Sequence, residues 1–261
     1  NIPIKAWFRS DNSFSKLFME NKISEIRILN TDICQFNCKH CFYGFDKMKE
    51  EQLSIEEYKN IIDQANKLGV KKLHFSGREP LCDENIFEIM EYVKENYPKM
   101  TYDLVTNGVL VDKYIDKLES LNTKRICISI DNLKDLTIRP TVKSTINAIE
   151  TVKKSKIPLE IFIDVHKNNK KDIKSIIEKL YRDYGAKDFL VRPVAPLGRG
   201  KNIKDILLTP KDVSEIYLEL KSFDYDDLNI EFFFRMDYTE MFLSEDFGEL
   251  SNDLKKLIYY E

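Results

Sequence analysis

The stretch Thr31-Asp32-Ile33-Cys34-Gln35-Phe36-Asn37-Cys38-Lys39-His40-Cys41-Phe42-Tyr43 sets three thiols in the pattern Cys-x3-Cys-x2-Cys, directly after a β-rich run at residues 25–30. The chain has 5 cysteines in 261 residues, and the other two, Cys82 and Cys127, stand alone. So few cysteines make no disulfide framework. A tight thiol cluster in a cysteine-poor chain points instead to a metal site in a reducing, cytoplasmic setting. Spacings of four and three residues let one loop wrap its thiolates around a face of a cubane cluster. A [4Fe–4S] cluster usually takes four cysteines, so three leave one iron for another ligand. The alternative is a structural zinc site of three cysteines and His40, in which His40 is cramped between two of its co-ligands. A thioredoxin-like pair needs fewer thiols than this loop carries.

Outward from the loop, short β-rich runs alternate with amphipathic helical patterns. Strands are expected at residues 25–30, 72–75, 101–106, 125–130, 159–165 and 188–193. Helices are expected at 54–68, 84–97, 112–121, 141–155 and 171–184, the first with Ser54 as its cap and Glu57 completing a capping box. Such alternation predicts an α/β fold of right-handed βαβ units around a parallel sheet. Six strands are too few to close an eight-stranded barrel, which leaves an open, partial barrel or a doubly wound sheet. Further on, a helix is expected at 210–220, capped by Thr209 with Pro210 at its first position. A strand is expected at 230–234 and a helix at 252–260. The chain divides into an N-terminal extension at 1–24, a core at 25–200 and a C-terminal part at 201–261 that caps the core.

Composition limits the function classes. The hydrophobic fraction of 43% and charged fraction of 33% describe an ordinary globular protein. A net charge of −3 gives no electrostatic footprint for nucleic acid. No apolar run approaches the ~20 residues that span a bilayer, and Asn1-Ile2-Pro3-Ile4-Lys5 lacks the apolar region of a signal peptide.

The cysteine loop resembles the defining loop of the radical S-adenosylmethionine (SAM) superfamily, where Cys-x3-Cys-x-aromatic-Cys follows the first strand of a partial (β/α)6 barrel with helices outside. The resemblance implies that Cys34, Cys38 and Cys41 ligate three irons of a [4Fe–4S] cluster. The amino and carboxylate groups of SAM then chelate the fourth, and His40 packs beside the adenine. Leu73-His74-Phe75-Ser76-Gly77-Arg78-Glu79-Pro80-Leu81 resembles the family's Gly-Gly-Glu-Pro segment, which receives the SAM amino group and here involves Gly77, Arg78 and Glu79. Arg78 stands in place of the second glycine, and an arginine at φ > 0 would carry a conformational penalty. Thr106-Asn107-Gly108 resembles another family segment. Ser129, Asp131 and Asp164 lie where relatives contact the ribose and methionine carboxylate, and Val191 where a backbone touches adenine. These residues fall at successive C-terminal strand ends, where barrel enzymes keep their sites. Outside this set, His74 reads as a satisfied strand histidine and His166 as part of a solvated turn. Cys82 reads as a buried free thiol and Cys127 as core packing.

By the same resemblance, an electron donor such as flavodoxin or ferredoxin reduces the cluster. SAM is then cleaved to methionine and a 5′-deoxyadenosyl radical, which takes a hydrogen atom from the substrate. The segment 192–200 resembles the sixth-strand exit of relatives that modify ribosomally made peptides, which makes a peptide the first expectation. Those relatives carry a cysteine-rich C-terminal extension, and no cysteine follows Cys127. Small-molecule chemistry in cofactor or nucleoside biosynthesis and activation of a glycyl-radical enzyme are the other enzymatic readings. A zinc- or cluster-binding interaction module is the non-enzymatic one.

Overall fold

Period-two alternation sorts the side chains of each strand between two environments. The computed structural model describes residues 4–6, 23–43, 53–134, 139 and 142–234. Its strands are β1 (Ile4–Ala6), β2 (Glu25–Leu29), β3 (Lys72–Ser76), β4 (Thr101–Thr106), β5 (Arg125–Ser129), β6 (Leu159–Val165), β7 (Asp188–Pro193) and β8 (Asn229–Phe234). Ile126 and Ile128 on β5, Ile161 and Ile163 on β6, and Phe189 and Val191 on β7 belong to the hydrophobic core. Arg125, Cys127 and Ser129, Glu160 and Asp164, and Arg192 alternate with them and so face the opposite, polar side of the sheet.

One helix follows each strand from β2 to β7: α1 (Ile55–Lys67), α2 (Asn85–Asn96), α3 (Val111–Ser120), α4 (Val142–Lys154), α5 (Ile173–Tyr184) and α6 (Pro210–Lys221). The expected capping box opens α1: Ser54 Oγ accepts the Glu57 N–H at 3.3 Å and Glu57 Oε2 accepts the Ser54 N–H at 2.7 Å. Thr209 caps α6 in the same manner through Asp212, with Pro210 in the first turn. On α5 the buried residues are Ile173, Ile176, Ile177 and Leu180, one stripe at helical period. Each such side chain stabilises by about 1.5–3 kcal/mol relative to an exposed one. The helix stops at Gly185, whose φ of 65° is left-handed.

All strands pair in parallel, in the order β1-β8-β7-β6-β5-β4-β3-β2. From β2 to β8 the order never reverses. With right-handed crossovers this puts every helix on one side of the sheet, so the doubly wound alternative, which needs a switch point, does not apply. The sheet is an open partial barrel with β2 and β1 at its two edges. Two more strands join than the six expected before residue 200. The apolar run at 230–234 becomes β8, in register with β7 at Val191↔Phe232, and Ile4–Ala6 adds outside it at Ile4↔Phe232. The expected helix at 252–260 lies outside the described residues. No helix among the described residues is long and apolar enough to cross a membrane.

Candidate cluster and cofactor site

A parallel sheet brings the C-terminal ends of its strands to one rim, and the loop after β2 lies there. Its cysteines are free thiols, with Cys38 buried and Cys34 and Cys41 half-buried. A turn between the last two is closed by the Cys41 N–H donating to the Cys38 carbonyl at 3.2 Å. The Phe36 N–H approaches Cys34 Sγ at 3.3 Å, and Asn107 Nδ2, from the turn after β4, approaches it at 3.8 Å. Burial pushes the Cys34 thiol up and Cys38 to about 11, so a cation is needed to keep them as thiolates.

The donor set tests which metal group fits. Tetrahedral zinc with Zn–S bonds of about 2.3 Å needs its sulfurs roughly 3.8 Å apart. Among the described residues the ligand atoms of only one trio of His, Cys, Asp or Glu side chains come within 4.8 Å of one another, and that trio is His40, Asp131 and Asp164. The three thiols do not form such a trio: at least one pair of their sulfurs lies farther apart than 4.8 Å. Three soft sulfur donors more widely spaced on one loop fit a cubane, whose corners are farther apart than the ligands of a single ion.

The turn after β3 is built from Gly77-Arg78-Glu79. Gly77 takes φ of +122°, and Arg78 is absent from the residues of positive φ, so the arginine carries no left-handed penalty. Glu79 is completely buried. Its carboxylate accepts Thr106 Oγ1 at 2.7 Å, the Asn107 N–H at 2.7 Å and the Leu81 N–H at 3.4 Å. Its own N–H donates to the Ile33 carbonyl at 3.1 Å. Three of a carboxylate's roughly four acceptor positions are thus filled from within. Burial pushes Glu79 up to about 7, against the pull of these donors.

A second knot gathers at the ends of β5, β6 and β7. His40 Nε2 is 3.2 Å from Asp131 Oδ2 and 3.5 Å from Asp164 Oδ2. Arg139 Nε donates to Asp131 Oδ2 at 2.7 Å, and its Nη2 donates to Asp164 Oδ2 at 3.3 Å. Arg192 pairs with the same Asp164 from β7. Burial raises the Asp164 carboxyl, but Arg192 and His40 outweigh it and hold the group well below the usual carboxylate range. The trio has the spacing of a metal site, yet the Arg139 guanidinium already serves as its cation. The ring nitrogen Nδ1 of His40 is buried without a hydrogen-bond partner among the described residues, and so is Nε2 of His166. Unpartnered buried ring nitrogens are uncommon and mark this knot as a place where a polar partner is missing.

The structure thus collects Cys34, Cys38, Cys41, His40, Gly77, Glu79, Asn107, Ser129, Asp131 and Asp164 at one rim. The side chain of Val191 belongs to the core, which leaves only its backbone to the polar side. His166 is fully buried rather than in a solvated turn, because it directly follows the apolar end of β6. Cys82 is half-buried rather than buried, its Sγ meeting Gln35 Oε1 at 3.1 Å on the cysteine loop. Cys127 is buried in the interior as expected, with Sγ 3.2 Å from Glu160 Oε2. His74 is satisfied as expected, by Glu25 at 2.7 Å. Arg139 lay outside the sequence reading: nothing around Thr137-Ile138-Arg139-Pro140 marks it, since its role depends on carboxylates from two other loops.

Comparison with known proteins identifies the family and the fold. The model of the Radical SAM superfamily matches residues 28–180, the stretch from β2 to α5. A probable GTP 3',8-cyclase of Methanocaldococcus jannaschii is 33% identical over 63% of this chain and 57% of its own length. An AdoMet-dependent heme synthase of Methanosarcina barkeri is 29% identical over 70% of this chain and 53% of its own. The chain thus spans just over half the length of these relatives. Among solved structures, anSMEcpe with bound AdoMet superposes with a TM-score of 0.67 at 24% identity, over 79% of this chain and 61% of that one. SuiB of Streptococcus suis bound to precursor peptide SuiA superposes with a TM-score of 0.68 at 16% identity, over 85% and 52%. These two likenesses establish the fold.

Proposed function

Because the chain belongs to the radical SAM superfamily, we propose that it is a radical SAM enzyme whose Cys34, Cys38 and Cys41 hold a [4Fe–4S] cluster and whose substrate is a peptide. The observation that carries the reading is the three-thiol loop on the rim where Glu79, Asn107, Ser129, Asp131 and Asp164 converge. When bound, the cluster supplies one electron to SAM, and cleavage of the sulfonium gives a radical able to remove a hydrogen atom. The chain's residues do the rest by position. Gly77 lets the turn backbone approach SAM, and Glu79 fixes that turn against Asn107. Asp131, Asp164 and the His40 ring form the wall that holds the nucleoside. No residue is assigned as a general acid or base, since hydrogen-atom transfer requires none. A flavodoxin- or ferredoxin-like donor is the partner that this chemistry needs.

The peptide reading rests on the sign and pairing of charge inside the barrel. At the rim, Arg139 is engaged by Asp131 and Asp164, and Arg192 by Asp164. A multiply charged nucleotide needs cations to spare, whereas a peptide needs few. A second reading, ring formation on a nucleotide, is favoured by the cyclase relative at 33% identity. Anaerobic reconstitution followed by SAM, dithionite and either GTP or the short peptides encoded beside the gene separates them by mass spectrometry. A peptide that loses two daltons or takes up one deuterium from heavy water supports the first reading. Conversion of GTP with unchanged peptides replaces it with the second.

A further inference from the structure

The segment after β7 reaches back across the barrel and grips the cysteine loop. Arg199 Nε donates to the Cys38 carbonyl at 2.8 Å, and the Arg199 N–H donates to the Cys41 carbonyl at 3.1 Å. One residue thus satisfies the backbone of two of the three thiol-bearing positions, at a sequence distance of 161 residues from Cys38. The approach is so close that only glycine fits beside it. Gly198 has φ of +54°, and a Cβ there would lie 2.5 Å from the Cys41 carbonyl oxygen and 2.3 Å from that of Phe42. Gly200 is equally constrained, a Cβ meeting the Ala195 carbonyl oxygen at 2.4 Å. The Gly-Arg-Gly triplet is therefore shaped to dock one guanidinium on this loop.

We propose that Arg199 is a positioning residue for the cluster: it presets the Cys38–Cys41 turn in its ligating shape and holds a fixed positive charge beside the cluster. The inference rests on the assignment of Cys34, Cys38 and Cys41 as ligands. The Cys38 carbonyl accepts both the Cys41 N–H and the Arg199 guanidinium, so the turn is closed at both ends before any metal arrives. A charged donor also favours the more negative of two redox states, which is the reduced cluster. Arginine suits this task because its planar fork is rigid and its charge does not titrate.

The test uses the full chain, purified and reconstituted without oxygen, as wild type and as the Arg199→Gln, Arg199→Lys and Gly198→Ala variants. Three readouts are compared: iron loss to a chelator, the midpoint potential followed by the EPR signal of the reduced cluster, and the melting temperature of the metal-free protein. Arg199→Gln is expected to lose iron about tenfold faster, as fits one charge-assisted hydrogen bond, and to shift the potential to more negative values. Arg199→Lys keeps the charge and restores the potential while recovering iron retention only in part. Gly198→Ala, with Arg199 intact, loses iron faster than wild type because the docking is pushed apart. Wild-type iron retention and potential in Arg199→Gln would overturn the proposal. So would an unchanged potential with iron loss that merely follows a lowered melting temperature. A wild-type protein that takes up no iron would instead refute the ligand assignment, and this inference with it.

Discussion

The carboxylate of Glu79, on the turn after β3, accepts the backbone N–H of Asn107, on the turn after β4, at 2.7 Å. This bond makes two neighbouring strand ends and the cysteine loop one unit, because the Glu79 N–H also holds Ile33. Glu79→Ala is expected to leave the cluster in place and weaken SAM binding by about 1–3 kcal/mol. It also strands the buried Asn107 N–H and Thr106 hydroxyl, so the metal-free protein should lose a similar amount of stability. Equilibrium dialysis with SAM and urea unfolding measure the two effects separately.

The pH dependence of the same residue has a definite sign. Burial raises Glu79 to about 7 in the folded protein, above its unfolded value near 4.5. The folded state then binds the proton more tightly, and stability is lost as pH rises from about 4.5 to about 7. Glu79→Gln does not titrate in this window. The stability gap between wild type and Glu79→Gln should therefore shift toward the variant between pH 5 and pH 7.5 in thermal melts of the metal-free protein.

Removing the three thiols tests the metal directly. Wild-type protein reconstituted without oxygen should hold about four iron and four sulfide per chain. A Cys34→Ala, Cys38→Ala, Cys41→Ala protein should hold almost none while Cys82 and Cys127 remain. Stoichiometric zinc without sulfide in anaerobically purified wild type would count against the assignment.

The paired charges at the ends of β5 and β6 make Asp131 costly to neutralise. Asp131 is buried, and it serves both Arg139 Nε and the Asp164 N–H, the latter at 3.1 Å. Asp131→Asn should cost about 3 kcal/mol in urea unfolding, since it leaves a buried guanidinium short of its counter-charge. Neutralising Asp172, which begins α5 without a side-chain cap bond, should change stability by less than about 0.5 kcal/mol.

Two glycines of positive φ should respond unequally to alanine. Gly69 has φ of +84° with nothing within 4 Å of an added Cβ, so Gly69→Ala meets only backbone strain of about 1–2 kcal/mol. At Gly108, φ is +90° and the Cβ would lie 2.9 Å from that of Ala148, so Gly108→Ala should be the more damaging in thermal melts.

What could be read without coordinates follows from the range of each interaction. The helices from α1 to α6 are legible because a 3.6-residue period and a cap such as Ser54 or Thr209 are local properties. The cysteine loop is legible because its ligand spacing is written along one turn. β1 is not, since a three-residue strand, Ile4–Ala6, is too short to show alternation, and its partner β8 lies at the other end of the described chain. Arg139 is equally silent, and the segment 192–200 does not itself reveal what Arg199 touches: each acts on atoms that approach only in the folded protein. His166 was misread because Lys167-Asn168-Asn169 looks like a solvated turn, whereas Asn169 in fact turns inward, its Nδ2 donating to the Asp131 and Asp164 carbonyls at 2.8 Å and 3.0 Å.

The pairing of Ile4–Ala6 with β8 has a consequence for how the molecule assembles. Synthesis proceeds from the N-terminus, and each βαβ unit from β2 onward can dock on the one before it as it emerges. β1 is made before β2 to β8, and the partner it has among the described strands, β8, is the last of them to be made. Closing this contact spans nearly the whole described chain, the kind of long-range pairing that slows folding. The pairing of β1 with β8 is thus expected to form after the strands that support the cysteine loop have paired.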